Sequence, residues 1–270
     1  MFDKIIGFIG AGNMGSAMMG GILQSSLVNA SQLIVSDYSP TTLENIKAKH
    51  SVETTLCNET VAERSDILFL AVKPNKFSEV IPQISRHVRP GCIVVSIAAG
   101  QTISAVEAAF GKDIKLVRVM PNTPALVGEA MSALCPNAAV TPEELSEIQV
   151  LFNCFGKSEV VPESLMDAVV GVSGSSPAYV YLFIEAMADA AVADGMPRAQ
   201  AYKFAAQSVY GAAKMVLETG EHPGVLKDAV CSPGGTTIEA VATLEKCGFR
   251  DAVITAQRAC AQKSRDMSKK

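Results

Sequence analysis

Short apolar runs alternate with stretches whose apolar residues return every third or fourth position, and this texture persists to about residue 162. The runs are IIGFI (5–9), QLIVS (32–36), DILFLAV (66–72), CIVVSIA (92–98) and IKLVRVM (114–120). Helical periodicity fills the gaps, over 41–49, 75–88 and 102–110. Strands rich in Ile, Val and Leu, separated by helices, predict a parallel sheet covered on both faces. AMSALC and KSEVV, with a helix from about 142 between them, extend that sheet. Beyond residue 163 the strand signal stops. Helices are expected over 164–171, 176–195, 198–219, 223–230, 235–247 and 249–268. The fold class is therefore an α/β Rossmann-type domain over 1–162 followed by an all-α domain over 163–270.

The second and third of these later helices are apolar around most of their girth. Glu185 and Asp189 make one thin polar stripe, and Lys203, Gln207 and Lys214 another. A helix of that kind is buried on several sides, and a segment of about 108 residues buries two of them poorly by itself. The expectation is a homodimer formed through this half.

Composition narrows the function. Hydrophobic residues make up 49% of the 270, charged residues 19%, and the net charge is −4. A packed core is expected; a basic stripe for nucleic acid is absent. The most apolar helical stretch carries Glu185, Asp189 and Asp194, so no membrane span is expected. The N-terminus lacks the features of a secretory signal. The seven cysteines, without a C-x-x-C pair, suit buried reduced thiols in a cytoplasmic protein; no metal site is expected. The three histidines, His50, His87 and His222, sit in polar contexts and read as surface residues.

Chemistry concentrates at strand ends. Gly10-Ala11-Gly12-Asn13-Met14-Gly15 fits G-x-G-x-x-G between the first strand and the first helix. The first glycine permits a tight turn, the second lets a pyrophosphate reach backbone N–H groups, and the third lets the helix lie close to the sheet. The helix start adds free donors and partial positive charge. Asp37 ends the second strand, where an acid accepts hydrogen bonds from the adenosine ribose and suits NAD. If Asp37 turns away, Ser36, Ser39 and nearby backbone can receive the 2′-phosphate of NADP; alternatively Asp37 only caps the following helix. Further loops are Ala71-Val72-Lys73-Pro74, then Ala98-Ala99-Gly100, whose small residues leave room for a flat ring, and RVMPNTP (118–124). In the last, Asn122 either serves the site or makes an Asx turn. In the helical half, Ser232-Pro233-Gly234-Gly235-Thr236-Thr237 leads into a helix. Two glycines and three hydroxyls there favour a carboxylate pocket over an ordinary cap.

The motifs IGFIGAGNMG, AVKP, VVSIAAG, MPNTPALV, VSGSSPAYV, GMPRAQAYKFAAQ and SPGGTTIEAV run in order from end to end. Together they resemble the pyrroline-5-carboxylate reductase family, most closely its bacterial members. The resemblance implies reduction of (S)-1-pyrroline-5-carboxylate to L-proline with NADPH or NADH, the last step of proline biosynthesis. It implies a dimer or a pentamer of dimers. It also assigns roles: Gly10 to Gly15 line the pyrophosphate; Asn58, in CNETV, lies near the adenosine; Ala71 to Pro74 and Ala98 to Gly100 flank ribose and nicotinamide. Ser232, Gly235, Thr236 and Thr237 hold substrate, with Thr237 as the catalytic hydroxyl. Two positions depart from the pattern. Asp37 replaces a neutral residue of some NADPH-preferring members. Ala229 stands where some members have an asparagine near substrate, so that contact is not carried over. A β-hydroxyacid dehydrogenase would also pair a Rossmann domain with helices, but it needs a catalytic lysine in an apolar setting, and the helical half offers none.

Overall fold

The computed structural model describes residues 2–268, which form two compact units. The first takes in residues 2–175 and 260–268; the second is Ser176–Ala259.

In the first unit the order is β1 (Ile6–Ile9), α1 (Asn13–Gln24), β2 (Leu33–Ser36), α2 (Pro40–His50), β3 (Glu53–Thr55), α3 (Asn58–Arg64), β4 (Ile67–Leu70), α4 (Phe77–Ile84), β5 (Ile93–Ser96), α5 (Ile103–Phe110), β6 (Lys115–Met120), β7 (Ala130–Pro136), α6 (Pro142–Asn153), β8 (Gly156–Val160) and α7 (Met166–Val169). The sheet order is β3-β2-β1-β4-β5-β6-β7-β8. All neighbours are parallel except β6 and β7, which pair antiparallel with Val117 opposite Pro136.

Strand side chains alternate between two cores, as a pleat requires. Phe8, Val35, Phe69 and Val95 face Met18, Leu43, Ile148 and Phe152 of α1, α2 and α6. Ile9, Ile34, Leu68 and Val94 face Val61, Ile81 and Val106 of α3, α4 and α5. Phe8 and Phe69 stack across β1 and β4 with ring centroids 4.6 Å apart. Helix starts follow their sequence signals. Ser39 Oγ accepts from Thr42 N–H, and Thr141 with Glu144 closes a capping box.

Some elements differ from the sequence expectation. Helix α4 stops at Ile84, not near 88, and the chain goes on as a turn in which the His87 and Val88 N–H groups both donate to the Ile84 carbonyl. Short β3 and α3 lie in a polar stretch without an apolar run to announce them. The helix expected over 164–171 is α7 followed by a wide π-helical turn, Val170–Gly174. Residues 163–175, expected with the helical half, pack in the first unit: Met166 is buried with Ala133 and Cys135.

The second unit holds α8 (Ser176–Ala193), α9 (Arg198–Thr219), α10 (Pro223–Val230), α11 (Thr236–Lys246) and the beginning of α12 (Phe249–Ser268). Small residues Ala188, Ala201 and Ala205 are its buried positions on α8 and α9. Arg198 pairs with Asp189 and lies over the Tyr202 ring, 5.5 Å from its centroid. Large apolar side chains remain exposed on both helices, among them Leu182, Phe204 and Leu217. No helix among the described residues is long and apolar enough to cross a membrane.

The cysteines are all free, yet only Cys92 and Cys135 are buried, so the expectation of buried thiols holds for two of seven. His50 is not a plain surface residue. Its Nε2 is buried without a partner, and burial, with help from Lys49, holds its pKa below the usual value. His87 Nδ1 lies 2.6 Å from Glu63, and exposed His222 caps α10 by accepting from Gly224 N–H.

Candidate active site

The strand order reverses direction between β1 and β4, and the loops after these two strands part there. Such a switch point is where open α/β sheets bind ligands. A cleft of about 600 Å³ opens at this place, lined by Gly10, Gly12, Asp37, Asn58, Ala71, Val72 and Lys73 among others.

The glycines meet three separate demands. Gly10 sits at φ +102°, and a Cβ on it would lie 2.7 Å from the Ala71 carbonyl oxygen. On Gly15 a Cβ would lie 2.6 Å from the Gly10 carbonyl oxygen, so the helix could not approach the turn. At Gly12 a Cβ would meet nothing within 4 Å and would project into open space. Gly12 is also the N-cap of α1, with no side-chain cap and no acid in the first turn. The first N–H groups of α1 are thus left for an anion, and their dipole is not neutralised. These residues fit a pyrophosphate. Asn13 is exposed at the helix start, and half-buried Met14 packs on the core.

Asp37 is turned inward. Its Oδ2 accepts from Ala11 N–H at 2.8 Å and its Oδ1 from Ser39 N–H at 3.0 Å. The cap of α2 is Ser39, not Asp37. Asn58 stands in the cleft wall between two polar neighbours: its Oδ1 accepts from Ser36 Oγ at 2.7 Å, and its Nδ2 donates to Gln83 Oε1 at 3.0 Å. Pro74 opens a single 3₁₀ turn that leads into α4.

Ala98, Ala99 and Gly100 follow β5 and do not line this cleft; Ala98 is buried, Ala99 exposed, and Gly100 has φ +76°. After the same loop, Ile103 N–H donates to Glu163 Oε1 at 2.7 Å, and the buried Arg118 donates to that oxygen at 2.8 Å. Asn122 is a brace. Its Oδ1 accepts from Met131 N–H and its Nδ2 donates to the Ser173 carbonyl, joining β7 to the π-helical turn.

In the second unit, Gly234 takes φ +66° and turns the chain into α11. Gly235 is the N-cap, and no side chain caps the helix. Gly235 N–H donates to the Ser232 carbonyl, which leaves the Thr236 and Thr237 N–H groups at the helix start. A Cβ on Gly235 would sit 2.4 Å from Ser232 Oγ, so only glycine lets that hydroxyl close over the helix start. The loop has the form of an oxyanion seat.

The pattern of residues missed Asn75, Lys76, Glu79 and Gln83, which line the cleft from α4 and the turn before it. Their spacing was the available signal: 75, 79 and 83 share one helix face. Among the described residues no group of acids, cysteines and histidines could hold a metal.

A glycine cradle at a Rossmann switch point, followed in the chain by an all-helical unit, marks a dinucleotide-dependent oxidoreductase. Residues 163–267 match the family model for pyrroline-5-carboxylate reductase dimerisation, and residues 5–100 match that for coenzyme F420-dependent NADP oxidoreductases. Pyrroline-5-carboxylate reductase of Escherichia coli strain K12 is 54% identical over 267 residues, 99% of each chain. A pyrroline-5-carboxylate reductase structure from Coxiella burnetii superposes with TM-score 0.93 at 32% identity, covering 99% of each chain. That of Plasmodium falciparum pyrroline carboxylate reductase with NADP bound gives 0.88 at 34% identity, again over 99% of each chain. The chain belongs to the pyrroline-5-carboxylate reductase family.

Proposed function

We propose that this chain reduces (S)-1-pyrroline-5-carboxylate to L-proline with NAD(P)H, the last step of proline biosynthesis. The observation that carries the reading is the 54% identity to the Escherichia coli reductase along 99% of the chain. The two anion seats supply the chemistry for it.

When bound, the reduced nicotinamide supplies the hydride. Gly10, Ala11, Gly12, Asn13, Met14 and Gly15 form the pyrophosphate cradle at the start of α1. Asp37 and Asn58 border the adenosine, while Ala71 to Pro74 and Ala98 to Gly100 border ribose and nicotinamide. Ser232 Oγ and the N–H groups of Thr236 and Thr237 hold the substrate carboxylate, with Gly235 keeping the seat open. Thr237 hydroxyl holds the ring nitrogen in line or gives it a proton. None of the three histidines lines the cleft. None is required, because a protonated imine is already electrophilic and positioning supplies much of the rate.

The assembly we propose is a dimer through the helical half, built into a pentamer of dimers, in the cytoplasm. The test is to give the purified protein pyrroline-5-carboxylate with each reduced cofactor. Loss of reduced cofactor matched one for one by proline is expected. No consumption with either cofactor would overturn the reading.

A further inference from the structure

We propose that Lys76, held in reserve by Glu79, is the residue that recognises a 2′-phosphate on the cofactor, and that Asp37 braces the glycine loop instead of selecting between NAD and NADP. The inference rests on the dinucleotide reading of the cleft.

A 2′-phosphate brings up to two negative charges and three strong acceptors. A site that welcomes it must offer a cation, and one that rejects it must offer a free acid near the ribose. Asp37 holds the position of that acid, but both its oxygens already accept backbone N–H groups, from Ala11 and Ser39. Its charge is directed into the turn that shapes the cradle.

The opposite wall supplies the cation. Lys76 and Glu79 both line the cleft, and Lys76 Nζ lies 2.7 Å from Glu79 Oε2. Their side chains are 55% and 59% exposed, so solvent screens the pair and it opens readily. Glu79 holds the Lys76 ammonium above the usual lysine range. Tyr38, which follows Asp37 in sequence, is 93% exposed and lines the same cleft as Lys76. The chain Ser36–Asn58–Gln83 ties the end of β2 to α4, fixing the distance between the two walls. A phosphate carries more charge than the Glu79 carboxylate and displaces it from Lys76. With a 2′-hydroxyl the pair stays closed.

The experiment is calorimetric binding of adenosine 2′,5′-bisphosphate and adenosine 5′-monophosphate to the full chain and its variants. Lys76→Met should weaken the bisphosphate about 5- to 30-fold and leave the monophosphate within about twofold. Glu79→Gln should tighten the bisphosphate about 2- to 5-fold. Asp37→Asn should leave the ratio of the two affinities within about twofold. An unchanged ratio in Lys76→Met overturns the proposal, as does a larger change in Asp37→Asn than in Lys76→Met. Wild-type protein that binds neither nucleotide would overturn the dinucleotide reading, and this proposal with it. Wild-type binding combined with an indifferent Lys76→Met overturns this proposal alone.

Discussion

Adding one methyl group at Gly15 would bring carbon within 2.6 Å of the Gly10 carbonyl oxygen, a backbone atom that cannot swing away. Gly15→Ala should therefore cost about 1–3 kcal/mol in denaturant unfolding and weaken nucleotide binding, because the turn and α1 must separate. Thr237 makes a different demand. In its proposed role, losing its hydroxyl removes a positioning hydrogen bond, worth about 1–3 kcal/mol, so Thr237→Ala should slow turnover about 5- to 150-fold. Affinity for the reduced cofactor should stay nearly constant; an unchanged rate would take Thr237 out of the reaction. At His50, burial aided by Lys49 lowers the ring's pKa in the folded chain, so the unfolded chain binds that proton first as pH falls. Stability from this ring is whole above about pH 6.5 and declines as the pH drops below that value. His50→Gln should flatten that part of the decline, measured by urea unfolding across the acid range; a slope equal to wild type would assign the loss to other groups. Burial pushes the Cys92 thiol up to about 12. It should resist alkylation in the native protein while exposed Cys57 reacts.

Elements were legible where periodicity was long. Helices α9, α10 and α12 lie where their apolar and small residues predict, and Ser39 and Thr141 mark helix starts by their own chemistry. What the pattern hid has physical causes. Polar β3 gains its place by pairing with β2 at the sheet edge, not by burial. The loop between β6 and β7 is braced by Asn122, which reads as a loop asparagine until its two distant partners, Met131 and Ser173, are in view. In the candidate site, Gly10, Gly15 and Gly234 were visible because backbone demands dictate residue type. The α4 wall was not, since Lys76, Glu79 and Gln83 look like any solvated helix face. Asn122→Ala leaves a half-buried N–H and a half-buried carbonyl without their partner and should cost about 1–3 kcal/mol in unfolding free energy. A smaller effect would mean that water replaces the brace.

On the scale of the whole molecule, the second unit leaves its apolar residues uncovered within one chain. Leu182 is 67% exposed, Phe204 64% and Leu217 81%. Apolar surface on that scale marks an interface, and the dimerisation match over 163–267 names it. Replacing both Leu182 and Phe204 by Glu should convert the dimer to monomer in size exclusion with light scattering, with the first unit still able to bind nucleotide. A dimer that survives would place the interface elsewhere.

Direct delivery of hydride to the imine carbon is the central claim, and isotope transfer reads it most plainly. Cofactor carrying deuterium at both nicotinamide C4 positions, given to the enzyme with pyrroline-5-carboxylate, should yield proline with one deuterium at C5. Proline without that label, or deuterium lost to water, would contradict the account.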